Sequence, residues 1–184
     1  TAARDGDEHA YYLEQLTRAA LADGATHVAV LHVDSFPIRR GWAEDLASRC
    51  TSANPLCAIH LRECGDQLLT CSALLFFTRQ FHEQYQPVFH PSPELRASAD
   101  FQAFVAGGNA GEIHESGIAY AYTLHRHGLS WTRLQRSNRH NDHFLLAGIY
   151  GDCVFHLGAA ARPTKGLRGD RDHRGLLGLA GRVQ

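Results

Sequence analysis

The run Thr26-His27-Val28-Ala29-Val30-Leu31-His32-Val33, followed by Asp34 and soon after by Pro37, constrains this chain more than any other stretch. Its length and its β-branched and apolar content are those of a buried strand. Proline has no amide hydrogen and cannot extend a ladder, which predicts that the strand stops within a residue or two of Asp34. Alternation along a strand puts His32 and Asp34 on one side, at the carboxyl end of a strand in an α/β sheet. Open α/β sheets bind their ligands at that edge. Two ligand-type side chains at i and i+2 suggest a cation held against a phosphate-bearing substrate. The alternative is that Asp34 caps the turn before Pro37 and His32 belongs to the core.

With 184 residues, one domain can bury its own core. A net charge of −1 gives no broad nucleic-acid footprint, so no nucleic-acid partner is expected. No apolar run approaches the roughly 18 residues that cross a bilayer, and no signal-peptide pattern stands at the start, so no transmembrane segment is expected. The cysteines (Cys50, Cys57, Cys64, Cys71, Cys153) form no C-x-x-C pair. They read as free thiols of a reducing compartment, with a disulfide or metal set as the alternative; the expected location is the cytoplasm, including the inner face of a membrane. The lack of methionine and the start Thr1-Ala2-Ala3-Arg4 lead to the expectation of a portion of a longer protein, with a processed amino terminus as the alternative.

Along the chain, Asp5 or Asp7 is expected to cap a helix over 8–22, with Leu13, Leu16, Ala20 and Tyr12 on its inner face and Gly24 as its stop. A short helix follows Gly41, over 42–50. Strands are expected over 56–61 and 68–78, then helices over 79–85, 94–105 and 112–127, the last with Ile118, Tyr122 and Leu124 inward and Gly128 as its cap. Residues 129–134 read as a strand, 135–143 as a polar loop, and 145–157 as an apolar stretch broken by Gly148 and Gly151. Helices alternating with strands give an α/β class. One domain spans 1–162, and the Gly- and Arg-rich residues 163–184 form a tail.

His156 closes the apolar segment Tyr150-Gly151-Asp152-Cys153-Val154-Phe155 and is followed by small residues, which places it at a strand end or, alternatively, as a structural histidine. Asp152 reads as a turn residue. Glu112 and Glu115 open a helix, where the dipole favours carboxylates; their functional reading is a general base for an acceptor hydroxyl. His125 with His127 and His140 with His143 do not reproduce a zinc signature. G-x-S-x-G, P-loop and H-E-x-x-H motifs are absent from the sequence.

The order of these segments resembles nucleotide-sugar glycosyltransferases of the GT-A fold, the family-two group in particular, over roughly residues 8–162. Leu31-His32-Val33-Asp34-Ser35-Phe36-Pro37 is similar to that family's Asp-x-Asp strand end, and Gly41-Trp42 to the Gly-Trp opening its next helix. His9-Ala10-Tyr11-Tyr12-Leu13 resembles the segment approaching the donor, and Ser72 to Arg79 the strand leading to the acceptor side. Glu115-Ser116-Gly117 stands near the family's acidic base motif, and His156-Leu157-Gly158 resembles its late histidine. His32 replaces the first aspartate, and the strands that hold the nucleotide base have no counterpart here.

The resemblance implies a Rossmann-like mixed sheet flanked by helices, incomplete at its amino terminus. It implies a divalent cation, Mn²⁺ or Mg²⁺, on Asp34, His32 and His156, and donor contacts from His9, Asp34 and Arg162. Glu115 would be the base and Glu112 its runner-up, in an inverting transfer from a nucleotide-diphosphate sugar to a glycan or other hydroxyl acceptor; a homo-oligomer is left open. The rival readings are a non-catalytic GT-A-like nucleotide-sugar-binding or scaffolding domain and a histidine-rich metal hydrolase.

Overall fold

A computed structural model describes residues 2–60, 70–107, 117–138 and 147–157, with the backbone alone for 2–7. It is a mixed α/β structure. A four-stranded sheet has the order β1-β4-β3-β5, built from β1 (His27–Leu31), β3 (Leu56–Ile59), β4 (Cys71–Thr78) and β5 (Thr132–Leu134). A three-stranded sheet has the order β2-β7-β6, built from β2 (Ser35–Pro37), β6 (Gly148–Tyr150) and β7 (Val154–His156). The β1–β4 and β3–β4 pairs are antiparallel, and β3–β5 is parallel.

The central strands β3 and β4 are buried on both faces, as their near-continuous apolar runs require, while the edge strands β1 and β5 expose Ala29 and Arg133. Alternation sends Val28, Val30, Leu56, Ala58, Leu75 and Phe77 into one cluster, where they meet α1 (Ala2–Ala22), α3 (Arg79–Tyr85) and α6 (Ile118–Arg126) through Ala10, Phe81, Tyr120 and Leu124. Cys57, Ile59, Leu74 and Phe76 face the other way, onto Leu46 of α2 (Trp42–Arg49) and onto Tyr150, Cys153 and Val154 of the small sheet. A satellite cluster joins α4 (Pro93–Ala97) and α5 (Ala99–Gly107) to α6 through Leu95, Phe101, Phe104 and Tyr122.

Several expectations change. Helix α1 starts by Ala2, so Asp5 and Asp7 lie inside it rather than capping it. Its buried stripe runs through Ala10, Leu13, Thr17, Ala20 and Leu21, whereas Tyr12 and Leu16 are 55% and 66% exposed. The sheet meets the face of α1 that carries Ala10 and Thr17, 2% exposed each, and Tyr12 and Leu16 lie off that face. Strand β1 ends at Leu31, earlier than expected, and Pro37 does not end the pairing. It is the last residue of β2, opposite Val154, and the Ile38 amide bonds the Cys153 carbonyl beyond it.

The expected helix over 94–105 is two helices. The Ser98 hydroxyl donates to the Leu95 carbonyl and accepts from the Phe101 amide, ending α4 and capping α5. Helix α3 has the expected bounds, and Gly24, Gly41 and Gly128 take positive φ at helix boundaries. The start of the 112–127 helix and the 163–184 tail lie outside the described residues. Cys50, Cys57, Cys71 and Cys153 are free, as expected; Cys64 lies outside the described residues.

Two contacts tie the helices to the sheet near β4. The Arg79 guanidinium donates to the carbonyls of Leu21 and Ala25, satisfying the end of α1. At the other end of β4, Thr70 donates its hydroxyl to the Gly117 carbonyl at 2.8 Å, where α6 begins. A Cβ on Gly117 would stand 2.1 Å from the Thr70 carbonyl oxygen, and that backbone atom cannot yield. Gly117→Ala is therefore expected to cost about 1–3 kcal/mol of stability, the usual range for overpacking. Denaturant midpoints of the variant and the parent check this, and equal midpoints would show that α6 can shift freely.

Candidate metal centre

The chain leaves the large sheet after Leu31 and enters the small one at Ser35. The crossing is a tight turn in which the Ser35 amide bonds the His32 carbonyl at 3.0 Å. The turn, rather than strand alternation, brings His32 and Asp34 together. Strand β7 returns alongside: Ser35 pairs with His156, and the Leu157 amide bonds the Asp34 carbonyl at 2.9 Å. A residue 122 positions after Asp34 thereby reaches it (156 minus 34).

One ligand atom each from His32, Asp34 and His156 lies within 4.8 Å of the other two. The His156 Nε2 stands 3.7 Å from an Asp34 carboxylate oxygen, with both side chains largely shielded from solvent. These three residues could hold a metal ion. The site lies at the junction of two sheets and not at the carboxyl edge of a parallel sheet, because β1 runs antiparallel to its neighbour β4.

Four neighbours shape the cluster. Ser72 of β4 hydrogen-bonds the His32 Nε2 at 2.8 Å. His9 of α1 packs its ring edge-on to His32 at 5.8 Å between centroids. Ser35, opposite His156 in the β2–β7 register, lies beside it on one face of the small sheet. The Ser35 hydroxyl is buried with no hydrogen-bond partner among the described residues, an arrangement that costs roughly 1–3 kcal/mol unless something satisfies it. Tyr150 lays its ring over Gly148, where a Cβ would come within 2.7 Å of it, and so reaches towards His156, 6.4 Å away.

Burial pushes the His32 pKa below the ordinary histidine value, and the nearby His156 and His9 push the same way against the pull of Asp34. His32 is therefore neutral at pH 7 and keeps a lone pair for a cation.

His32, Asp34 and His156 are brought together as the sequence suggested, with His9 beside them. Glu112, Glu115 and Arg162 lie outside the described residues. Ser72 and Ser35 were not anticipated as site residues. Ser72 carried a usable signal, as the single hydroxyl in the apolar run Cys71–Phe77. Ser35 carried none, because its position depends on the pairing of β2 with β7.

Cavities of about 440 and 500 Å³ lie around α5, α6 and β5, lined by Phe104 and His125 among others; His32, Asp34 and His156 line neither. No helix among the described residues is long and apolar enough to cross a membrane. Compared with known protein families, curated proteins and solved structures, the chain matches none.

The lowered His32 pKa predicts one source of acid sensitivity. Below about pH 6.5 the unfolded chain takes up a proton that native His32 refuses, so stability present above that pH is lost as pH falls towards the lower native pKa. Denaturation of metal-free protein between about pH 8 and pH 5 should show this loss. His32→Gln, which does not titrate there, should lose less.

Proposed function

We propose that this chain is a metal-assisted nucleotide-sugar glycosyltransferase of the GT-A type, or the catalytic-side part of one. It would move a sugar, with inversion, from a nucleotide-diphosphate donor to an acceptor hydroxyl. The observation that carries the reading is the convergence of His32, Asp34 and His156, the three residues that the resemblance nominates as metal ligands, with His156 coming from far along the chain.

The donor set suits a divalent cation. Asp34 offers a carboxylate oxygen and the histidines offer ring nitrogens. Two imidazoles favour Mn²⁺ over Mg²⁺, which prefers oxygen. When bound, such an ion supplies positive charge to the donor diphosphate and to the leaving nucleotide. The Ser35 hydroxyl beside His156, which has no hydrogen-bond partner among the described residues, fits a site whose polar shell is completed by a ligand.

The chain's own residues do the rest. His9 stands next to His32 on the side of α1, suited to a donor contact. Glu115 takes the proton from the acceptor hydroxyl, with Glu112 as the runner-up, and Arg162 contacts donor phosphate. Gly117, two residues after Glu115, is pinned against Thr70, which is itself two residues before Ser72 and its bond to His32.

The donor set also favours a second reading. Two histidines and one carboxylate are the ligands that hold non-haem Fe(II) in oxygenases. Dioxygen consumption with Fe(II) and a reductant, and no metal-dependent affinity for a nucleotide diphosphate, would select it.

Asp34→Ala should abolish Mn²⁺ uptake and the Mn²⁺-dependent binding of a nucleotide diphosphate in calorimetric titrations. Unchanged affinity would reduce Asp34 to a turn residue. Glu115→Gln should lower turnover by about 10²–10⁴-fold while leaving donor and metal binding nearly intact, since the amide keeps the shape and loses the basicity. A variant keeping more than about a third of turnover falls far outside that range and passes the role to Glu112. Metal-dependent nucleotide binding without turnover in the parent protein would leave the non-catalytic binding domain.

A further inference from the structure

We infer that Ser72 is a positioning residue that makes the Nδ1 of His32 the metal-binding nitrogen, an assignment that rests on the metal reading above. An imidazole has two nitrogens, and a neutral ring can offer a lone pair from only one of them. The Nε2 of His32 is taken by the Ser72 hydroxyl at 2.8 Å. With Ser72 accepting, Nε2 carries the proton and the lone pair stands on Nδ1. With Ser72 donating, the proton moves to Nδ1 and that nitrogen cannot ligate. The direction of one hydrogen bond therefore decides whether His32 can serve as a ligand.

The fold is built to hold this bond. Ser72 is 2% exposed, on a strand hydrogen-bonded to β1 on one side and β3 on the other. Leu31 is opposite Leu74, and the His32 amide bonds the Ala73 carbonyl at 3.4 Å, so the β1–β4 ladder delivers the His32 ring to the neighbourhood of Ser72. His9 and His156 confine the ring at centroid distances of 5.8 and 6.2 Å, both nearly edge-on. Ser72 is the one hydroxyl in an otherwise apolar run, and water is not at hand to replace the imidazole as its partner. Metal-bound histidines commonly have the second ring nitrogen bonded in this way, and losing that partner typically costs 10–100-fold in metal affinity.

Two measurements test the inference. In ¹⁵N-histidine-labelled, metal-free protein above the histidine titration range, long-range ¹H–¹⁵N spectra should show His32 as the Nε2–H tautomer. The Nδ1–H tautomer would overturn the inference without any mutant. Calorimetric titration with Mn²⁺ should then show an affinity about 10–100-fold weaker in Ser72→Ala than in the parent, restored in Ser72→Thr, which keeps the hydroxyl. A merely structural serine would lower the melting temperature of the metal-free protein and leave Mn²⁺ affinity unchanged, and that result overturns the inference. Parent protein that shows the Nε2–H tautomer yet takes up no Mn²⁺ overturns the metal reading itself and the ligand role with it, which separates that failure from a failure of Ser72.

Discussion

The arrangement depends on strand β4. Seven consecutive residues, Cys71 to Phe77, are buried, and the strand is hydrogen-bonded to β1 on one side and to β3 on the other. Leu75 and Phe77 anchor the helical side, while Leu74 and Phe76 anchor the side covered by α2 and the small sheet. Burying one such side chain contributes roughly 1.5–3 kcal/mol. A slip of one residue would exchange the two sets and mismatch both cores at once, so the register is strongly specified. The same register places Ala73 beside His32 and Ser72 within reach of its ring, so core packing also determines the geometry of the site.

The candidate metal centre stands where the backbone leaves one sheet for another. A tight turn places His32 and Asp34 together, and the β2–β7 ladder adds His156. Each of the three residues is held by a hydrogen bond of its side chain or of its own or a neighbouring backbone group, so none depends on a long unsupported loop. Such support is what a binding site needs if its ligands are to be held in place before a cation arrives. Burial and the neighbouring imidazoles keep His32 neutral, while Asp34 supplies the negative charge.

Much of the fold could be read from local pattern. The apolar runs gave β1, β3 and β4 approximately, and Gly24, Gly41 and Gly128 marked helix boundaries because positive φ suits glycine. Helix α3 followed from its own residues, with Thr78 as its cap. The errors share a cause. Leu16 reads as core by hydrophobicity, yet the sheet meets the face carrying Ala10 and Thr17. Pro37 reads as the end of pairing, yet the last residue of a short strand tolerates proline when the next amide can resume the bonds, as Ile38 does. Ser98 is a helix cap hidden inside an apolar period.

By itself, the sequence determined which segments are apolar enough to form the sheet, where most helices stop, and that His32, Asp34 and His156 are of residue types able to ligate a metal. These are local properties of composition, backbone freedom and side-chain donor type. Only the tertiary structure decided that the three residues meet at the junction of two sheets, that His9 packs against His32, and that Ser72 takes one of its ring nitrogens. Those facts depend on which strands pair and in what register. Pairing is a long-range choice, made by burying both faces of β4 together, and no short stretch of sequence contains it.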